Sequence, residues 1–220
     1  ELQKSGEPPV KARSRLCLWG HTERGKNRLR KDSPTTSRLL IYLTTHIGIC
    51  LGFEAWNADA DSAYLQAGKD PRRDGKLFMR PPRQGLPEVG PGQLVEITGI
   101  VWGLTDAGRF WYREISGWLV YCDGWKIHSL NAAVFIKFDA NGTLIGIINL
   151  HVDDVYTLVV NFSVLQPLAD KFNWSGWTTD NFMFRGCRFN ATPDKITISA
   201  GVQQCHHGAE APTRTSGATQ

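Results

Sequence analysis

Two adjacent aspartates between two strand-like segments constrain this chain more than any other feature of its sequence. Asp153 and Asp154 follow the apolar run 144–150 and precede the apolar run 155–160. Like charges this close repel and raise each other's pKa, so a chain tolerates them best where a cation neutralises them. Carboxylate oxygens suit Mg²⁺, and the run therefore predicts a metal site at a turn between two strands. An ordinary Asp-rich turn is the alternative interpretation.

Size and charge limit the classes of protein to which the chain can belong. The 220 residues, 41% of them hydrophobic, suffice for one large or two small domains with a real core. The positive charge is unevenly placed: eight of the 25 Lys and Arg residues lie in the basic segment 11–31, where only Glu23 opposes them. This segment suits a phosphate-rich partner, although a solvated, partly disordered arm is the alternative. The chain does not begin with Met, and we expect it to be part of a longer protein.

Cysteine usage and hydropathy indicate an intracellular protein. The five cysteines are scattered and show no CxxC spacing, which favours reduced thiols over a disulfide scaffold. No apolar run is long enough to predict a membrane span, and the start of the chain has no apolar signal segment.

Hydrophobic periodicity predicts an α+β fold, with helices packed on one face of an antiparallel sheet. Helices are predicted from the cap signal at 32–35 towards Gly48, over 105–122 and over 164–172. Strands are predicted at 15–19, 52–60, 77–79, 94–101, 133–138, 143–152, 155–160, 182–189 and 196–199. The segment 201–220 is rich in Gly, Ala, Thr, Ser and Gln and is predicted to be disordered.

A further carboxylate, Asp59, ends a predicted strand far from the paired aspartates. A two-metal site needs ligands that converge from separate elements. Asp59, Asp153 and Asp154 therefore form a candidate set of metal ligands.

Six segments in a consistent order resemble the motifs of one family. They read Arg-Ser-Arg-Leu-Cys-Leu-Trp-Gly at 13–20, Asp-Ala-Asp-Ser-Ala-Tyr-Leu at 59–65, Phe-Met-Arg-Pro-Pro at 78–82, Trp-Gly-Leu-Thr-Asp-Ala-Gly-Arg-Phe-Trp-Tyr at 102–112, His-Val-Asp-Asp at 151–154 and Phe-Arg-Gly-Cys-Arg-Phe at 184–189. Together they resemble the reverse transcriptase domain of Ty1/copia-type LTR retrotransposons, over about residues 10–200.

The resemblance implies a right-hand polymerase fold with palm and fingers and with the thumb absent or truncated. We expect the first part of the fingers, with the basic arm, at 1–51 and the first part of the palm at 52–66. The second part of the fingers is expected at 67–104, and the second part of the palm at 105–200.

The implied reaction is the addition of deoxynucleotides to a primer 3′-OH, copied from an RNA or DNA template. Two Mg²⁺ ions, for which Mn²⁺ can substitute, would bridge Asp59 and Asp153. Asp154 would support the metal next to the primer, and the backbone carbonyl of Ala60 would contact the metal next to the nucleotide.

Further positions are implied to contact the nucleotide or the nucleic acid. The Tyr64 ring would lie under the sugar C2′ and select deoxyribose, with a plain core aromatic as the alternative. Arg13 and Arg15 would clamp the triphosphate, near Asp106. Residues implied to lie along template and primer are Trp102, Gly103, Arg109, His151, Lys26 and Arg28.

Several residues depart from the family pattern. Asp106 stands in place of Gln, Gly108 in place of Pro, His151 in place of Tyr and Arg185 in place of Leu. These departures keep open a second interpretation: a degenerate, non-catalytic relic that at most binds nucleic acid.

In a full element, the domain would be linked to protease, integrase and RNase H. It would act in the cytoplasm, within a virus-like particle, or in the nucleus, and without a membrane partner.

Overall fold

A computed structural model describes residues 16–22, 25–68, 77–192 and 195–200. Residues 1–15, which include Arg13 and Arg15, and the segment 201–220 lie outside the described residues.

The described residues form four helices interspersed among eleven strands, with three single-turn 3₁₀ segments at Gly20–Thr22, Lys26–Arg28 and Phe162–Val164. The helices are α1 (Arg38–Cys50), α2 (Ala63–Gln66), α3 (Ala107–Tyr121) and α4 (Gln166–Lys171). The strands are β1 (Glu54–Ala60), β2 (Leu77–Met79), β3 (Val95–Ile97), β4 (Lys126–His128), β5 (Asn131–Phe138), β6 (Leu144–His151), β7 (Asp154–Val159), β8 (Trp174–Thr178), β9 (Asn181–Phe184), β10 (Cys187–Thr192) and β11 (Lys195–Ala200).

A six-stranded sheet forms the centre of the molecule, in the order β4-β5-β6-β7-β1-β8. All its pairings are antiparallel, as the hairpin signals predict. Two smaller sheets accompany it: β11-β10-β9 and the short pair β2-β3. The mixture of helix and antiparallel sheet expected from the sequence is confirmed. The assignment of segments to palm and fingers stays a prediction.

The central sheet is covered on both faces, so the prediction of helices on one face was wrong. Side chains alternate between the faces of a strand. On β7, Val155 and Val159 belong to the core that contains α3 and α4. Tyr156 and Leu158 belong to a second core that contains α1 and the β9-β10-β11 sheet. The long apolar runs of β6 and β7 are consistent with burial on both faces.

Helix α1 begins later than the cap signal at 32–35 predicts, at Arg38, with Ser37 as its N-cap. Ser37 has an extended backbone and accepts a hydrogen bond from the Leu40 N–H at 3.3 Å, which satisfies one of the free donors at the helix start. The inner side of the helix is joined to the sheet by polar contacts as well as apolar ones. Thr44 is hydrogen bonded to Asn149, and the Thr45 hydroxyl lies 3.0 Å from the Tyr156 hydroxyl.

Two predicted strands were wrong. Residues 16–19 form no regular strand, although the Leu18 N–H donates to Trp102 O at 2.8 Å. The predicted strand 182–189 is instead the hairpin β9-β10, because Arg185 and Gly186 both have positive φ and reverse the chain. Strands β4 and β8 and helix α2 were not predicted.

Of the described helices, none is long and apolar enough to cross a membrane.

Candidate active site

The paired aspartates lie at the tight turn between β6 and β7. His151 and Asp154 are the last paired residues, and Val152 and Asp153 form a two-residue loop. Val152 has a φ of 57°, in the left-handed region, which suits the first loop position of a II′ turn. Glycine is the usual residue there, because a β-branched side chain is strained at positive φ.

Both loop carbonyls accept a hydrogen bond from a neighbouring element. The Trp111 Nε1–H of α3 donates to Val152 O at 2.7 Å. The Ala60 N–H at the end of β1 donates to Asp153 O at 2.8 Å. The loop that carries Asp153 is thus held from the helix layer and from the adjacent strand.

His151, Asp154 and Asp59 form a row across β6, β7 and β1. Asp154 is directly opposite His151 on one side and Asp59 on the other. Directly opposed residues of antiparallel strands share a face, and here it is the face that α1 covers further along the sheet. The row brings together two of the predicted metal ligands, and Asp153 follows in the adjoining loop.

Burial, together with the charges of Asp59 and Asp153 and a hydrogen bond with Asp59, raises the pKa of Asp154 to about 7. Asp154 is half-buried, whereas Asp59 and Asp153 are exposed. Among the described residues, no group of three or more His, Cys, Asp or Glu side chains is arranged to hold a metal ion. The three carboxylates are therefore neighbours, but they do not form a complete set of ligands.

His151 connects the row to the β9-β10 turn. Its ring lies edge-on to Phe184, with 6.2 Å between the centroids. Burial and the positive charge of Arg185 lower the pKa of His151, and Asp153 acts in the opposite direction. The Arg185 guanidinium donates to Thr36 O, and Thr35 forms an isolated β-bridge with His151. The sequence marked Arg185 only as a departure from a family motif, whereas the structure places it next to the catalytic candidates.

Tyr64 and Trp102 lie together in a second group, with 6.4 Å between their ring centroids. Gly103 follows with a φ of 88°, and a Cβ on it would lie 1.9 Å from Leu18 O. Glycine is required at this position because the segment around Leu18 packs directly against the backbone of the Trp102 loop.

The remaining predicted residues are placed as follows. Arg109 is paired with Asp32, with 2.5 Å between Nη1 and Oδ2. Asp106 is 1% exposed at the start of α3, so its carboxylate faces the protein interior. Lys26 donates to His21 O, and Arg28 is exposed in the same 3₁₀ segment. The nucleotide- and nucleic-acid-binding roles of these residues stay predictions.

Comparison with known proteins decides the family. Residues 2–200 match the family described as reverse transcriptase (RNA-dependent DNA polymerase). The chain belongs to this family. The match is to the copia/Ty1-type branch, so the resemblance seen in the sequence is confirmed. A comparison of this reverse transcriptase domain with curated proteins found no match.

One solved structure aligned with the reverse transcriptase domain is described as apo telomerase from Candida tropicalis, truncated from the C-terminal domain. The alignment has a TM-score of 0.41 and 11% sequence identity. It covers 76% of the domain and 41% of the telomerase chain, so the domain spans about two fifths of that chain.

The donor set of the reverse transcriptase domain fits a hard divalent cation. Carboxylate oxygens are the preferred ligands of Mg²⁺ and Mn²⁺. Burial and then the negative charges of Asp59 and Asp153 raise the pKa of Asp154. A divalent cation near the row would remove that repulsion.

Proposed function

We propose that this chain is the catalytic domain of an RNA-dependent DNA polymerase that extends a primer with deoxynucleotides. Membership of the reverse transcriptase family implies a nucleotidyltransferase that binds template and primer. One observation supports catalysis by this chain: Asp59 and Asp154 lie side by side on adjacent strands, next to Asp153 in a tight turn. In the proposed reaction the primer 3′-oxygen bonds to the α-phosphorus, pyrophosphate leaves, and the hydroxyl proton passes to solvent.

Asp59 and Asp153 would hold two divalent cations, with support from Asp154 and the carbonyl of Ala60. When bound, such ions lower the pKa of the primer hydroxyl and stabilise the leaving pyrophosphate. The Ala60 N–H already holds the loop through Asp153 O. Ala60 would therefore connect the loop and the nucleotide side of the site through its two backbone groups.

Tyr64 would select deoxyribose by placing its ring under the sugar C2′. The support is its position four residues after Ala60, with its ring half-exposed next to Trp102. We propose that Arg13 and Arg15 bind the triphosphate and that Asp106 lies near the incoming nucleotide. Template and primer would run past Trp102, Gly103, Arg109, His151, Lys26 and Arg28.

The wider context is part of the same proposal. The domain would belong to a copia-type polyprotein with linked protease, integrase and RNase H. An intracellular location, in the cytoplasm within a virus-like particle or in the nucleus, stays a prediction.

A non-catalytic relic that binds nucleic acid is the second candidate. The observation that favours it is that the described carboxylates are not arranged as a three-residue metal site. The presence of Asp106 in place of Gln favours the relic less than the sequence alone indicates, because the Asp106 side chain is buried.

Primer extension on poly(rA)/oligo(dT) with Mg²⁺ or Mn²⁺ tests the proposal. We expect wild-type activity and its loss, by at least about 10³-fold, in Asp153→Asn and Asp59→Asn. Asp61→Asn is a matched control, because it removes one exposed carboxylate two residues from Asp59.

A gel shift of the same template–primer separates the two candidates. Binding without extension would establish the relic. Equal activity in wild type and Asp153→Asn would contradict the proposed site.

A further inference from the structure

Val152 adopts a backbone conformation that its own side chain disfavours. Left-handed φ is rare for β-branched residues and is retained only where the surroundings impose it. At 57°, the φ of Val152 lies inside that region, in the loop that carries Asp153. Something outside the loop must therefore hold it in place.

The indole of Trp111 is positioned to do this. Trp111 is fully buried in the middle of α3, and its ring packs edge-on against Phe172, with 5.2 Å between the centroids. Its Nε1–H reaches across the helix–sheet interface to Val152 O at 2.7 Å. A buried indole N–H needs an acceptor, and a loop carbonyl needs a donor, so each group satisfies the other.

We propose that Trp111 is a positioning residue that locks the Val152–Asp153 loop in the conformation required for catalysis. The expected fall in kcat rests on the proposed polymerase function, whereas the expected opening of the loop does not. The sequence places Trp111 among apolar residues at helical spacing, which predicts a buried core residue. This pattern does not reveal that the indole also donates a hydrogen bond to a distant loop.

The Ala60 amide gives a readout that does not depend on activity. Its N–H donates to Asp153 O, so its hydrogen exchange reports opening of the loop. We expect Trp111→Phe, which keeps an aromatic ring but removes the donor, to speed exchange at Ala60 by about tenfold. The Phe110 amide, bonded to Asp106 O in the first turn of α3, should change much less, because it reports opening of the helix start rather than of the loop.

Kinetics and a rescue variant distinguish loop positioning from core packing. We expect Trp111→Phe to lower kcat by about 10- to 100-fold, with a smaller effect on KM for the nucleotide. Glycine adopts positive φ without strain, so Val152→Gly added to Trp111→Phe should restore kcat and slow exchange at Ala60. Trp118→Phe is the matched control, since Trp118 lies on the same helix and contacts the same Phe172 ring. It should change neither readout.

The outcomes decide the inference in either case. Faster exchange at Ala60 that Val152→Gly reverses would support it, even if the wild-type protein extends no primer and the proposed function fails. Exchange that is unchanged, or raised equally at Ala60 and Phe110, would overturn it. A loss of kcat that Val152→Gly does not restore would also overturn the inference.

Discussion

Asp59 lies directly opposite Asp154 across β1 and β7, and their carboxyl groups are hydrogen bonded to each other. Two ionised carboxylates have no hydrogen to donate, so this bond requires a proton on one of them. Because the pKa of Asp154 is about 7, about half of the folded molecules carry that proton at about pH 7 and nearly all of them carry it at about pH 5. The pair thus binds a proton where the proposed function requires a metal ion, and the two ligands should compete.

The first prediction concerns stability and pH. The pKa of Asp154 is raised in the folded state from 3.8 to about 7, so the folded protein binds more protons than the unfolded chain between these values. Stability should therefore fall as pH rises through this window, and the loss should be complete above about pH 7. Asp154→Asn should flatten the profile and raise the free energy of unfolding by about 1–2 kcal/mol at about pH 8, after allowance for solvent screening.

Urea denaturation across the pH range measures this effect, with Asp61→Asn as the control that should keep the wild-type profile. Added Mg²⁺ should stabilise the wild-type protein more at about pH 8 than at about pH 5, because the metal and the proton compete for the carboxylates. An equal effect of Mg²⁺ at both pH values would show that it does not bind at this pair.

The second prediction concerns sugar selection by Tyr64. Tyr64→Val removes the ring and should raise incorporation of ribonucleotides relative to deoxyribonucleotides by about tenfold or more, since it removes a steric clash with the 2′-hydroxyl. Tyr64→Phe keeps the ring and should preserve the wild-type preference. Single-nucleotide incorporation with paired dNTP and rNTP substrates gives the ratio of kcat/KM values. If both variants discriminate as the wild type does, Tyr64 is a structural aromatic that packs near Trp102.

The third prediction concerns the close backbone contact at Gly103. A Cβ there would lie 1.9 Å from Leu18 O, and the φ of 88° is unfavourable for any other residue. Gly103→Ala should lower the free energy of unfolding by at least about 2 kcal/mol. Gly117→Ala should raise it by about 0.5–1 kcal/mol, because a Cβ on this helical glycine meets nothing within 4 Å. Urea midpoints at constant m-value test both changes, and a neutral Gly103→Ala would contradict the contact.

The fourth prediction concerns the buried hydroxyl pair between α1 and β7. The Thr45 hydroxyl donates to Ile41 O at 2.7 Å, so the Tyr156 hydroxyl is the donor across the 3.0 Å contact with Thr45. Tyr156→Phe should cost about 1 kcal/mol, because Thr45 keeps its bond to Ile41 O. Thr45→Val should cost more, about 2–3 kcal/mol, because it leaves the phenol buried without its acceptor.

A double-mutant cycle completes this test. With both hydroxyls removed, the cost should be clearly less than the sum of the two single costs. Additive costs would show that the two hydroxyls do not interact in solution.

The strands that carry strong local signals could be predicted from the sequence. The Asp-Ala-Asn-Gly turn at 139–142 fixed the β5–β6 hairpin, and the apolar runs beside the aspartates indicated β6 and β7. The β9–β10 reversal could not be predicted, because Arg185 is not a typical residue for a position with positive φ. Strand β8 has exposed Ser175 and Gly176 between its tryptophans, so it shows little strand character in its sequence.

The candidate site was only partly predictable for a related reason. The carboxylates of Asp59 and Asp154 are recognisable from motifs, but their direct opposition depends on the register of β1 against β7. Trp111 and Arg185 act through contacts between elements distant in sequence, and no local pattern encodes such contacts. The burial of Asp106 is likewise a property of the packed fold.

Strands β6 and β7 are covered on both faces, and this limits which amino-acid substitutions the domain can accumulate during evolution. The loop with Asp153 is the tip of a hairpin whose strands contribute to both cores. A substitution that loosened the hairpin would therefore disturb both cores at once, which constrains the backbone that carries the carboxylates. Exposed positions such as Trp19 and Tyr121 bear no such penalty. A lineage can therefore accumulate changes over its surface while the backbone course of the β6–β7 hairpin remains among the last parts of the protein to be altered.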